Sequence, residues 1–88
     1  MSVVTKILFF AGAKDRVGQD EIITQLNSFW PDKHSLLHHL CHNIGYNLSD
    51  IITTMTLAIN EEYIINDNDS INLNENDVIA LIPPITGG

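Results

Sequence analysis

Val78-Ile79-Ala80-Leu81-Ile82-Pro83-Pro84-Ile85-Thr86-Gly87-Gly88 closes the chain. Five consecutive apolar residues read as a strand covered on both faces or nearly so, and Pro83 ends it by withdrawing the backbone donor a ladder would need. The strand then leaves a domain spanning residues 1–84 through a proline pair and an exposed tail, residues 85–88. That tail finishes in a tip without side chains whose last atoms are expected to be a free carboxylate, a chemical handle on Gly88. At a glycine frequency of about 7%, two terminal glycines arise by chance in about one chain in 200. The pair therefore gains its meaning from the residues before it.

Working outward, Thr5 to Ala11 is rich in β-branched and aromatic residues and reads as the first strand, followed by a loop or short helix over Gly12 to Asp20. Strand alternation puts Lys6, Leu8 and Phe10 on one face and Ile7 and Phe9 on the other, and Lys6 marks its own face as the solvent side. Glu21 to Leu26 pairs back as a second strand. Pro31-Asp32 opens the most secure helix, in which Leu36, Leu37, Leu40, Cys41 and Ile44 recur at the spacing of one face before Gly45 stops it. His34, His38, His39 and His42 fall on the opposite side. Asn47 to Thr54 reads as a short helical turn, Met55 to Asn60 as a third strand and Tyr63 to Ile65 as a brief edge strand. Asn66 to Asn76 is a polar turn region into which Ile71 and Leu73 plug. The predicted architecture is an α+β roll, one main helix packed across a mixed sheet.

Composition narrows the function. At 88 residues there is room for one domain and not for an enzyme with its own substrate cavity. An apolar content of 44% supports a packed core, while no run approaches the ~20 apolar residues of a membrane helix. Eleven acidic against four basic residues give a net charge of −7, which repels nucleic acid phosphates and anionic lipid and fits a basic protein surface better, the alternative on charge alone being acidity that only keeps a small protein in solution. The single cysteine, Cys41, allows no internal disulfide, which suits the reducing cytosol. Lys6 to Ala13 has some features of a short secretory signal, but its apolar stretch is at the short limit and reads better as the first strand.

With these segments in place, Lys6-Ile7-Leu8-Phe9-Phe10-Ala11, Ala58-Ile59-Asn60-Glu61-Glu62-Tyr63 and Asp77 to Gly88 together resemble the small sulfur-carrier subunit of molybdopterin synthase, in the family's order and at its usual length. The ending Pro-Pro, aliphatic, Ser or Thr, Gly-Gly is the specific part, and Asn60 to Tyr63 is closer to eukaryotic members. One departure is Asn76-Asp77 where the family commonly has Gly-Asp. Asparagine is the next best residue for a left-handed turn, so the turn should survive at modest cost.

The resemblance implies a ubiquitin-like β-grasp fold and a non-catalytic donor subunit. A separate adenylating enzyme uses ATP to convert the Gly88 carboxylate to an acyl-adenylate, and sulfur replaces AMP to give a thiocarboxylate. The sulfur passes to a cyclic pyranopterin monophosphate in the large catalytic subunit, in a complex with two copies of each subunit. No permanently bound cofactor is expected. Pro83, Pro84, Ile85, Thr86 and Gly87 would form the inserted tail: the prolines hold its base extended near φ ≈ −65°, and the glycines accept any backbone angle a narrow channel imposes. Four residues beyond Pro84 span at most about 13–14 Å at ~3.3–3.6 Å each. The alternative in the same residues is a ubiquitin-like protein modifier or tRNA-thiolation carrier acting through the same end.

Other candidates rank lower. The histidine stripe reads as a solvated face without metal, because no acidic or thiol ligand is placed to close a shell. Cys41, beside Leu37 and Leu40, reads as packing and not as the sulfur-bearing atom. Phe10 and Ile82 would form an apolar partner-binding patch beside the tail root if the first and last strands are neighbours.

Overall fold

A computed structural model describes residues 1–44, 48 and 54–83. Strands β1 (Ser2–Phe9), β2 (Glu21–Asn27), β4 (Thr56–Ile59), β5 (Glu62–Tyr63) and β7 (Val78–Ile82) form one sheet in the order β2-β1-β7-β4-β5. β1 and β7 run parallel at its centre and the other pairs are antiparallel. Strand β3 (Phe29–Trp30) pairs with β6 (Ile71–Asn72) as a separate two-stranded ladder. Helix α1 (Ala11–Val17) lies in the β1–β2 connection, so the stretch left open as loop or helix is helical. Helix α2 (Lys33–His39) passes directly into a π-helical turn, Leu40–Ile44. The predicted mixed α+β roll is present, with a second helix, α1, in addition to the main one.

Alternation in β1 is as expected from Lys6. Val3, Thr5, Ile7 and Phe9 are buried, while Lys6 and Leu8 on the other face are half-buried. The inner side chains join Leu57, Ile79 and Leu81 of the sheet, Leu36, Leu37, Leu40 and Cys41 of the helix, and Trp30, Ile71 and Leu73 in one core. Asp32 starts α2 as an N-cap, its carboxylate accepting the Ser35 N–H at 2.8 Å, and that backbone hydrogen bond holds the Asp32 pKa below its ordinary value. Ile71 and Leu73 plug into the core as the sequence suggests, but the pairing of Ile71–Asn72 with Phe29–Trp30 leaves no periodic signal because each strand is two residues long. The turn assigned to Asn47 to Thr54 lies outside the described residues except for buried Leu48 and for Thr54, and the stop at Gly45 is outside them as well.

One expectation is corrected. β7 is covered on one face only: Ile79 and Leu81 are buried, whereas Val78, Ala80 and Ile82 are half-buried. The helix lies over the inner face, and on the outer face Ala80 is half-buried and its β4 partner Ala58 buried. A continuous apolar run thus marks a strand whose second face is apolar without being sealed.

A polar clasp fixes the start of β7. Asn60 and Glu61 both have positive φ, 51° and 71°, the backbone of a two-residue hairpin turn whose twist suits β4 and β5. Asn60 Nδ2 donates to Asp77 Oδ1 at 2.9 Å, and Asn60 Oδ1 accepts the Val78 N–H at 2.9 Å. The second carboxylate oxygen of Asp77 accepts the Asn74 N–H at 2.8 Å, and Asp77 is only 8% exposed. Beside it Asn76 adopts φ 69°, the left-handed turn anticipated for it, and its N–H donates to the Val4 carbonyl at 2.7 Å. Replacing Asp77 with Ala strands the Asn60 amide and the Asn74 N–H, so urea unfolding should show a loss of about 1–3 kcal/mol. An unchanged midpoint would mean that the clasp contributes nothing to stability.

Candidate functional site

The site is built on the outer face of the sheet, at the end where β7 finishes. Paired registers assign residues to that face: Leu8 lies opposite Ala80, Ala80 opposite Ala58, and Ala58 opposite Tyr63. An apolar row therefore crosses four strands. Ile82, paired with Thr56, is the next outward residue along β7. The parallel register runs to Phe9 opposite Leu81, so Phe10 and Ile82 are the positions that follow it. Phe10 keeps an extended backbone (φ −119°, ψ 152°), which continues the alternation of β1 and sends it to the face of Leu8.

Phe10 is 45% exposed and Tyr63 63% exposed. The structure thus makes β1 and β7 neighbours and brings Phe10 and Ile82 to the same end of the same face, as the sequence suggested they would be if those strands paired. It corrects one detail, since β1 ends at Phe9 and Phe10 is the residue that caps α1. Ala58 and Tyr63 complete the row without having been singled out. The available signal was the period of two on either side of the Asn60-Glu61 turn, which puts Ala58 and Tyr63 in register.

Charge sits at the flank of this surface. Lys6 lies 3.5 Å from Glu21, and Glu21 is the β2 partner of Leu8. Ile23, 66% exposed, lies opposite Lys6 and extends the apolar area along β2. Pro83 is half-buried and follows Ile82 directly, so the chain leaves from the middle of the sheet beside the patch. Pro84, Ile85, Thr86, Gly87 and Gly88 lie outside the described residues.

The remaining candidates separate by burial. Cys41 is fully buried, and desolvation pushes its thiol up to about 11. Three histidines, His34, His38 and His42, are exposed along the helix, whereas His39 is half-buried against Trp30 with ring centroids 5.1 Å apart. Among the described residues no three or more His, Cys, Asp or Glu side chains are arranged to hold a metal ion together, and no helix is long and apolar enough to cross a membrane.

Comparison with known proteins defines the class. The model of the ThiS family matches residues 7–88. A molybdopterin synthase sulfur carrier subunit from Dictyostelium discoideum is 41% identical over 88 residues, covering 100% of both chains. Among solved structures, the protein–protein complex of subunits 1 and 2 of the molybdopterin-converting factor from Helicobacter pylori contains a similar chain. That likeness has a TM-score of 0.64 at 23% identity over 98% of this chain and 100% of that one. Small archaeal modifier protein 1 from Methanosarcina acetivorans gives a TM-score of 0.71 at 17% identity, covering 100% and 99%. The fold is accordingly the ubiquitin-like β-grasp, and the chain belongs to the ThiS family.

The burial of Cys41 sets a chemical expectation. With the thiol near 11 instead of its ordinary 9, native protein should resist alkylation by iodoacetamide at pH 8, while urea-unfolded protein is modified stoichiometrically. Because the folded pKa is the higher one, the associated stability is fully present below pH 9 and is lost as pH rises from there through about 11. Rapid native alkylation would show that the thiol is accessible.

Proposed function

We propose that this chain is the sulfur-carrier subunit of a molybdopterin synthase and acts as a donor, not as a free-standing catalyst. The observation that carries the reading is the full-length 41% identity to a chain of that name. The geometry is in keeping with it. A strand held on both sides by hydrogen bonds ends in Pro83 at the sheet centre, so the body can remain outside a partner while the following residues enter it.

In this reading the Gly88 carboxylate attacks the α-phosphorus of ATP in an adenylating enzyme and expels pyrophosphate. A sulfur nucleophile then adds to the acyl carbon and AMP leaves, generating the thiocarboxylate. ATP is consumed by that partner, and this chain retains no cofactor. Each thiocarboxylate delivers one sulfur in the cytosol to a cyclic pyranopterin monophosphate held by the large subunit, in a complex with two of each chain, and returns to the Gly88 carboxylate, so that two transfers complete the molybdopterin dithiolene. The Helicobacter pylori neighbour, one of two subunits in its complex, supports a large-subunit partner, and a net charge of −7 suits a basic docking surface. Phe10 and Ile82, with the row behind them, are the partner-facing residues, while Pro83 to Gly87 supply the inserted tail.

Two experiments test this. Incubation with an adenylating enzyme, ATP and a sulfur donor should raise the mass of the terminal peptide by the exchange of one oxygen for one sulfur. A variant extended by one residue beyond Gly88 should remain folded and show no gain. Larger adducts on lysines of other proteins would instead favour the modifier reading. Separately, Phe10→Arg or Ile82→Asp should weaken binding to a candidate large subunit by about tenfold or more in a calorimetric titration, as expected for a truncated or charged interface anchor. Wild-type affinity in both variants would remove the patch from the interface.

A further inference from the structure

The histidine stripe is absent from the sulfur chemistry above, and its spacing changes along the helix. His34 and His38 lie within or at the edge of ordinary α-helical geometry, with ring centroids 6.1 Å apart and planes inclined by 52°. His38 and His42 span the junction into the π-helical turn, and their rings stack at 4.1 Å with planes 25° apart. The cause is geometric. In an α-helix a residue four positions on overshoots a full turn by about 40°, whereas a path that passes from α-helical steps into the wider steps of a π turn, as from His38 to His42, overshoots by less. The π turn therefore aligns two imidazoles that a regular helix would leave staggered. Such turns are uncommon and are often associated with functional sites.

We propose that His38 and His42 form a surface site for a borderline divalent transition-metal ion of the class that favours imidazole nitrogen, such as Zn²⁺ or Ni²⁺. The short centroid separation keeps both imidazoles within reach of one ion once the rings turn out of their stacked planes, and both side chains are exposed, so neither ring must leave a packed core. No further His, Cys, Asp or Glu among the described residues completes the set, which leaves the other coordination positions to water. His39 is the internal contrast. Its Nδ1 lies 2.8 Å from Asn43 Nδ2 and its ring rests against Trp30, so it is engaged by the protein and takes no part.

The test uses the full chain without an affinity tag and Ni²⁺ alone as the probe. Calorimetry should show saturable binding of one ion per chain. His38→Gln and His42→Gln should each weaken binding by about tenfold or more, while His39→Gln leaves it unchanged. In the unaltered protein, substoichiometric Ni²⁺ should broaden the ring proton signals of His38 and His42 before those of His39, a readout independent of whether any variant folds. Non-saturable binding, an equal loss in His39→Gln, or His39 broadening first would each overturn the assignment.

Discussion

The fold depends on β7 lying between β1 and β4. Its backbone is committed on both sides, parallel to β1 from Val78 to Leu81 and antiparallel to β4 from Ile79 to Ile82. Sliding β7 by one residue would turn Ile79 and Leu81 out of the core and bring Val78, Ala80 and Ile82 in. The Asn60–Asp77 clasp opposes such a slip with directional hydrogen bonds at the strand's first residue, where apolar packing alone is least discriminating. Placing Glu61 at φ 71° costs about 1–2 kcal/mol for a residue with a Cβ. Sheet pairing and the clasp together offset that strain.

The sequence made much of this legible where one interaction dominated. A single lysine oriented β1, because Lys6 has to reach water and every second side chain follows it. Aspartate after proline marked the start of α2, and the leucine spacing marked its buried side. Asn76 announced a left-handed turn by the same steric rule that favours glycine. Illegible features depended on contacts between distant segments. The β3–β6 ladder is too short for a period, and the π turn follows a helical pattern without an interruption in the sequence. The uncovered face of β7 looked sealed because valine, alanine and isoleucine look alike whether they meet a helix or a future partner.

The candidate site shows the same division. Gly88 and the residues before it are expected to act on the strength of their chemistry and of a resemblance, and all after Pro83 lie outside the described residues, while the apolar row became visible only through strand register. Phe10 lies near the start of the chain and Ile82 near its end, yet the parallel pairing of β1 with β7 makes them the positions that follow Phe9 and Leu81 at one sheet end. Ala58 and Tyr63 extend that surface through the hairpin. Because small alanines occupy the middle of the row, with Leu8 at one end and the exposed Tyr63 at the other, the face suits another protein better than a small ligand.

Burial of the lone cysteine has a consequence for traffic in sulfur. A protein that meets persulfides and other reactive sulfur species risks capturing them as mixed disulfides on any ionised thiol of its own. Cys41, enclosed by the helix and core and held in its protonated form, offers neither access nor a nucleophile. The globule is thereby kept inert to thiol–disulfide exchange, so sulfur that meets this chain finds no competing acceptor in its core.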